Sequence, residues 1–435
     1  MKEKKKSKAG KIILTIFGVL VLVIAGIVLR YWLAYNGFLD KITARKPEMK
    51  GYSVVVLGEA EIEKVGELAE KSVGFLRTDL QATKARIKLE EAVSEEKDAT
   101  VEIDFYDDVD TMYEVLKNNL TDAIVLETDR IEILKEEVEN FEDTTRIIYT
   151  FEVEIEEEAA EVSEKEITTE PFVVYISGSD SRTGIKTTAR SDVNIIAAVN
   201  PKEGKILLVS IPRDTYVQLH DTMGLKDKLT HAGIYGINMS KTTIEDFLNI
   251  KIDYTIKVSF ETVVKVVDEI DGIDIVSDKA MTLKSNGEVC EFIEGKQHVN
   301  GNCALRFARE RKSYTTGDRH RGENQQQVIT SIIGKLSSSK DYLLKIPTIL
   351  DIAADSFETT FTRENISAFI RMQLLNSIKW NVESIAVDGT GTYAPTYSMG
   401  ANRPLYVMMP SEASVLNATT KINEYLAINE EEPEE

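Results

Sequence analysis

Carboxylates and guanidinium groups recur at the ends of three apolar runs. PFVVYISGSDSR leads into Asp180, TARSDVNIIAAVNP opens with Arg190 and Asp192, and KILLVSIPRDTYV carries Arg213 and Asp214. A second basic cluster lies in ALRFARER and GDRHRGENQQQ, with Arg306, Arg309, Arg311, Arg319, Arg321 and Gln325. Arg309 and Arg311 are two apart and share a side if the backbone is extended. Arg321 and Gln325 are four apart and share a helix face. Guanidinium forks bind phosphate oxygens bidentately, and carboxylates beside them suit a hard cation bridging to the same oxygens. These residue types therefore point to a pyrophosphate-like polyanion held by arginines and by Asp-bound Mg²⁺ or Mn²⁺. Losing one such contact typically costs on the order of 10²-fold in rate. Arg306, Arg319 and His320 are expected on the ordinary surface. Asp214 is expected to orient its neighbours, and surface Arg–Asp pairs contribute only about 0–1 kcal/mol.

For these groups to meet, the three runs must form an antiparallel meander. The end of the first strand, the start of the second and the end of the third then share one sheet edge. Strands near 172–176, 193–199 and 205–211 alternate with helical stretches, clearest at 324–336 and 362–375. The pattern predicts a layered α/β domain over 171–428, with a mixed sheet flanked by helices. Gly178 and the serines around Asp180 predict a tight turn that lets a ligand approach the backbone. A smaller α/β accessory domain is predicted over 50–155. Its strands fall near 52–57, 99–105, 123–127 and 147–155, and its helices near 61–93, 110–118 and 129–140. It shows no catalytic constellation, and its charged helices at 61–70 and 84–96 read as solvated faces.

The chain has 435 residues, 52 Lys+Arg and 73 Asp+Glu, for a net charge of -21. That balance argues against nucleic-acid binding, which needs many phosphate-neutralising cations. About 17 of the acids fall in 127–170, so the rest of the chain is far closer to neutral. Residues 156–170 read as an acidic linker and 429–435 as an acidic tail. At the N-terminus, a basic tail (1–11) precedes a span at 12–33 whose apolar run is about 18–20 residues, long enough to cross a bilayer. The positive-inside rule puts the tail in the cytoplasm and the bulk outside, in a single-pass membrane protein. Cys290 and Cys303 are too few for a zinc ribbon or a disulfide-stapled fold. Two readings stand for them: a disulfide closing one loop, or two small buried thiols.

SGSDSR, TARSDVNIIAAVNP, SIPRDTYV, KLTHAGIYG, CALRFARER and GDRHRGENQQQVI resemble, in order, the motifs of the LytR-CpsA-Psr family. They cover most of 171–333. An anchor and accessory domain ahead of the catalytic domain resemble the family's capsule-associated branch. One departure is Gly236–Ile237, where the family has a double glycine. The resemblance implies an extracytoplasmic, Mg²⁺-dependent phosphotransferase on a Gram-positive membrane. Such an enzyme moves a glycopolymer, capsular polysaccharide or teichoic acid, from undecaprenyl pyrophosphate to peptidoglycan and releases undecaprenyl phosphate. It implies Asp180 and Asp192 as metal ligands, and Arg190, Arg213, Arg309, Arg311 and Arg321 as pyrophosphate-binding arginines. Gln325 becomes a polar pocket residue. Asp180, Asp192 and Arg213 form the catalytic set, and capsule assembly proteins become candidate partners. His231 reads as structural.

Phosphoryl transfer rests mostly on positioning and charge neutralisation, so the residues and the resemblance agree. Asp180 or Asp192 is the expected general base for the acceptor hydroxyl. The prenyl tail requires an apolar channel, for which 328–336 and 361–375 are the candidate linings. Two alternatives keep the same site: a pyrophosphatase in which water attacks, and a non-catalytic regulator or scaffold of capsule assembly.

Overall fold

The computed structural model describes residues 48–155, 163–179, 187–285, 288–315, 317–353 and 356–427. The predicted membrane span, both charged tails, half of the acidic linker and Asp180 lie outside these residues. Among the described residues, no helix is long and apolar enough to cross a membrane.

The first unit is a five-stranded sheet built from β1 (Glu48–Leu57), β2 (Ser72–Leu76), β3 (Glu102–Tyr106), β4 (Ala123–Glu127) and β5 (Thr145–Ile155), in the order β3-β2-β4-β1-β5. Helix α1 (Ala82–Glu96) covers one face through Ala85, Leu89 and Val93. Helices α2 (Val109–Lys117) and α3 (Thr128–Glu137) cover the other, with Met112, Leu116, Ile131 and Leu134 in the core. Of the helical patterns expected over 61–93, the later part forms α1, whereas the earlier part holds a 3-10 turn and the strand β2. β2 is five residues, SVGFL, nearly all buried and paired in parallel with β3 and β4. A short apolar run of that length carries no period that separates strand from buried helix.

The second unit is a six-stranded mixed sheet. It comprises β6 (Phe172–Ser179), β7 (Val193–Asn200), β8 (Lys205–Ser210), β9 (Tyr254–Ser259), β10 (Phe357–Thr359) and β11 (Asn381–Ala386), in the order β10-β9-β6-β7-β8-β11. β6, β7 and β8 form the expected antiparallel meander, while β9 and β11 join in parallel at its two sides. Almost every residue of the meander is buried, as continuous apolar runs require when helices cover both faces. Helices α4 (Ile237–Leu248) and α9 (Glu412–Tyr425) pack against Val173, Tyr175, Ile196 and Leu207. Helices α7 (Asp318–Ser338) and α8 (Arg363–Asn376) lie on the opposite face, against Val174, Ile195 and Leu208. Between β9 and α7 run α5 (Phe260–Glu269) and α6 (Gly301–Arg309). Cys290 and Cys303 are disulfide-bonded, with Cα atoms 5.5 Å apart, so the disulfide reading holds over the free-thiol one.

The two units share a core. Ile234, Met399 and Leu405 of the second pack into the cluster formed by α2 and α3. A buried ionic network reinforces that contact. Lys50 Nζ lies 2.9 Å from Asp79 and 3.1 Å from Glu127, and Arg130 Nε lies 2.6 Å from Glu127. Arg130 also donates to the Tyr235 hydroxyl (2.7 Å) and to the Ser398 carbonyl across the boundary.

Candidate active site

The meander brings its three polar ends together as required. The Asp192 amide donates to the Gly178 carbonyl (2.8 Å) and the Ile211 amide to the Asn194 carbonyl (2.9 Å), locking the edge. Gly178 sits within β6, opposite Val193, and so is a strand residue. A Cβ there would meet Val193 at 2.9 Å, so close strand packing, and no tight turn at this position, explains the glycine.

Arg213 follows β8 and bonds Asp192 Oδ1 at 2.7 Å. Burial opposes the charge on Arg213, but Asp192 and Asp214 outweigh it and raise its pKa. Asp214 lies between Arg213 (3.8 Å) and Lys228 (3.4 Å), in the orienting role expected of it. The segment bearing Arg190 is held by backbone bonds from Ser191 to the Thr230 carbonyl (3.1 Å) and from Thr230 to the Arg213 carbonyl (2.9 Å). Gly233 packs directly on this segment. A Cβ there would collide with the Ala189 carbonyl and stand 2.8 Å from the Ser191 nitrogen.

Helix α7 supplies Arg321 and Gln325 from one face, as their spacing predicts. Neighbouring polar residues on α7 anchor the helix. The Gln326 amide donates to the Leu208 and Ile385 carbonyls (2.9 and 2.7 Å), and Asn324 donates to the Phe307 carbonyl (3.1 Å). Arg321 is paired with Asp318 at 2.5 Å. Burial lowers the Arg321 pKa and raises that of Asp318. Arg309, the last residue of α6, lies 5.0 Å over the Phe260 ring.

Arg190, Asp192, Arg213, Arg309, Arg311, Arg321 and Gln325 all line one cavity of about 560 Å³. That volume suits a small charged head group. Arg306 lines it too, with a buried Nε that lacks a hydrogen-bond partner among the described residues, so the surface expectation fails for this residue. It fails for His320 as well, which is 9% exposed and stacked on Tyr314. Arg319 does lie on the surface, paired with Asp388. His231 is buried, and its Nδ1 faces both Asp227 (2.7 Å) and Ser398 Oγ (2.8 Å). Two partners on one ring nitrogen, in a closed site, tie Asp227 and Ser398 together within the second unit, a structural role.

Among the described residues Asp192 accepts a hydrogen bond from Arg213 at Oδ1. A carboxylate lining a polyanion cleft is a fitting donor for a hard cation. Among the described residues, no three carboxylates, histidines or cysteines cluster as a complete metal site.

The wall that sequence reasoning missed comes from the first unit. Asp129, Glu132 and Glu136 of α3 line the same cavity, and Arg190 donates two 2.9 Å bonds to the Glu136 carboxylate. Burial pushes the Asp129 carboxyl up to about 7, against the pull of Arg190. The available signal was the acid spacing i, i+3, i+7, which puts all three on one helix face.

A model of the LytR_cpsA_psr family matches residues 142–415. A polyisoprenyl-teichoic acid–peptidoglycan teichoic acid transferase TagU from Bacillus anthracis is 31% identical over 268 residues, covering 61% of this chain and 83% of that protein. The TagU protein of Bacillus subtilis is 35% identical over 198 residues, 45% of this chain and 62% of that protein. The crystal structure of B. subtilis TagV aligns with a TM-score of 0.51 at 28% identity, covering 60% of this chain and 99% of that one. With the family model spanning most of the second unit and every cleft arginine within it, the chain belongs to the LytR_cpsA_psr (LytR-CpsA-Psr) family.

Proposed function

We propose that the chain is an extracytoplasmic phosphotransferase that moves a glycopolymer from a polyprenyl diphosphate carrier onto peptidoglycan, releasing polyprenyl phosphate. The observation that carries this reading is the convergence of Arg190, Arg213, Arg309, Arg311, Arg321 and Gln325 on one cleft beside Asp192. Relatives named as polyisoprenyl-teichoic acid–peptidoglycan teichoic acid transferases support the same class of reaction.

In the transfer, an acceptor hydroxyl oxygen forms a bond to the glycan-bearing phosphorus. The bond from that phosphorus to the bridging oxygen breaks, and the leaving group is the prenyl phosphate. The arginines bind the diphosphate and spread the charge that builds on its oxygens, a role typically worth orders of magnitude in rate. Asp192 orients Arg213 through Oδ1. Asp192, with Asp180, would hold Mg²⁺, which neutralises diphosphate charge when bound. Asp180 or Asp192 would take the acceptor proton.

Phe260 lines the cleft and also joins the partly buried apolar set Ile176, Ile256, Ile329, Ile333 and Phe369 on one face of the sheet. We infer that the prenyl tail passes Phe260 onto this face, with the predicted span at 12–33 tethering the site to the membrane that holds the carrier. The glycopolymer is a capsular polysaccharide or a teichoic acid.

The test uses the detergent-solubilised full chain with a prenyl-diphosphate-linked oligosaccharide, Mg²⁺ and peptidoglycan. Wall-linked sugar, reduced at least 10²-fold by Arg213→Ala, is expected. Release of free polymer alone would favour a pyrophosphatase. Unchanged attachment with Arg213→Ala or Asp192→Ala would favour a scaffold.

A further inference from the structure

Helix α3 belongs to the unit that lies ahead of most of the family match, which starts at residue 142. Yet it forms one wall of the arginine cleft. Of the five carboxylates lining that cleft, three come from α3. Glu136 makes the closest contact, with Oε2 on Arg190 Nη1 and Oε1 on Nη2, both at 2.9 Å. A guanidinium edge engages one planar or tetrahedral oxyanion end-on at a time. The Glu136 carboxylate therefore occupies the position at Arg190 that a phosphoryl group would need.

Charge and exposure show which partner yields. Burial works against the Glu136 charge, but Arg190, with help from Arg213 and Lys228, holds its carboxyl below the ordinary range. Glu136 is thus ionised at neutral pH. Its side chain is 53% exposed, whereas that of Arg190 is 18% exposed. The carboxylate can turn into solvent while the guanidinium stays. Helix α3 itself stays as well, pinned through Arg130 to Glu127, Tyr235 and Ser398.

We propose that Glu136 is a resident competitor for the diphosphate, so that the N-terminal unit sets the affinity of the site for its phosphorylated substrate. Binding exchanges the carboxylate at Arg190 for a phosphoryl oxygen, and release of the product lets Glu136 return. This rests on the reading of Arg190 as a diphosphate ligand.

The experiment is calorimetric titration of the full chain in detergent with inorganic pyrophosphate at fixed Mg²⁺. The wild type is compared with Glu136→Gln, Arg190→Ala, the double variant, and Glu142→Gln as an exposed acid on the same unit. Glu136→Gln is expected to tighten pyrophosphate binding about tenfold, equivalent to about 1.4 kcal/mol. Glu142→Gln should match the wild type. In the Arg190→Ala background, Glu136→Gln should give no gain, because the contested site is gone. Tightening below twofold in Glu136→Gln, while the wild type binds, overturns the competitor. So does a tenfold gain that persists without Arg190, which would mark a general charge effect. Absence of pyrophosphate binding by the wild type overturns the diphosphate reading itself, and the competitor with it.

Discussion

Arg130→Met removes one cation from the buried ionic network at the boundary between the two units. Arg130 is 1% exposed, Glu127 and Lys50 are each 2% exposed, and Asp79 is 7% exposed. Together they form a closed set of two cations and two anions. Burial alone would raise the Glu127 carboxyl, but Arg130 and Lys50 overcome it and hold it below the ordinary carboxylate range. Removing Arg130 leaves Glu127 with Lys50 alone and strands the Ser398 carbonyl and the Tyr235 hydroxyl. Breaking a buried pair on one side costs about 3–5 kcal/mol, and an orphaned buried polar group about 1–3 kcal/mol. These overlap, so about 4 kcal/mol is expected, a large part of a typical 5–15 kcal/mol stability. The assay is chemical denaturation of Arg130→Met, Glu127→Gln and the double variant. The double variant should be less destabilised than the sum of the singles by about 1–3 kcal/mol, because the second change removes the stranded charge. A single-variant loss under about 1 kcal/mol, or strict additivity, would refute the buried-network reasoning.

Other outcomes follow from the same geometry. Asp129 has its folded pKa raised to about 7, so the folded state holds a proton that the unfolded state releases above about 4. Stability therefore falls as pH rises from about 4 to 7. Asp129→Asn should raise the melting temperature at pH 8 and give no comparable gain at pH 4; equal shifts at both would contradict the assignment. Cys290 and Cys303 are 13 apart, and opening a loop of that size costs about 3 kcal/mol in the chain-entropy account. The double serine variant should show that loss in denaturant melts, and an unchanged midpoint would oppose it. Gly233→Ala forces a methyl into the backbone that carries Arg190. A displacement of about 1 Å can cost on the order of 10²-fold in rate, so transfer should fall by about that factor, and full activity would contradict the packing.

Much of this site is legible in the sequence because its parts obey short-range rules. The meander follows from three apolar runs buried on both faces, and its polar ends then have one edge to share. Arg321 and Gln325 are four apart on one helix, so their common direction is fixed by helical geometry. The α3 wall is a different matter. Glu136 and Arg190 lie 54 residues apart and meet because the packing of Ile234, Met399 and Leu405 and the bonds of Arg130 dock one unit on the other. An acidic helix face reads the same whether it meets water or arginines. β2 was hidden by its length, and Arg306 by standing in a row of arginines whose helical turn alone decides which faces the cleft. Asn324 and Gln326 carry the same chemistry as Gln325 but spend it on backbone carbonyls of β8, α6 and β11.

The most direct test of the convergence of arginines on a diphosphate is the structure of the full chain bound to geranylgeranyl diphosphate and Mg²⁺. Both phosphoryl groups should lie within hydrogen-bond distance of Arg190, Arg213, Arg309, Arg311 and Arg321, with the prenyl chain running past Phe260. A diphosphate seated away from these side chains, or a prenyl chain leaving by another face, would contradict the account.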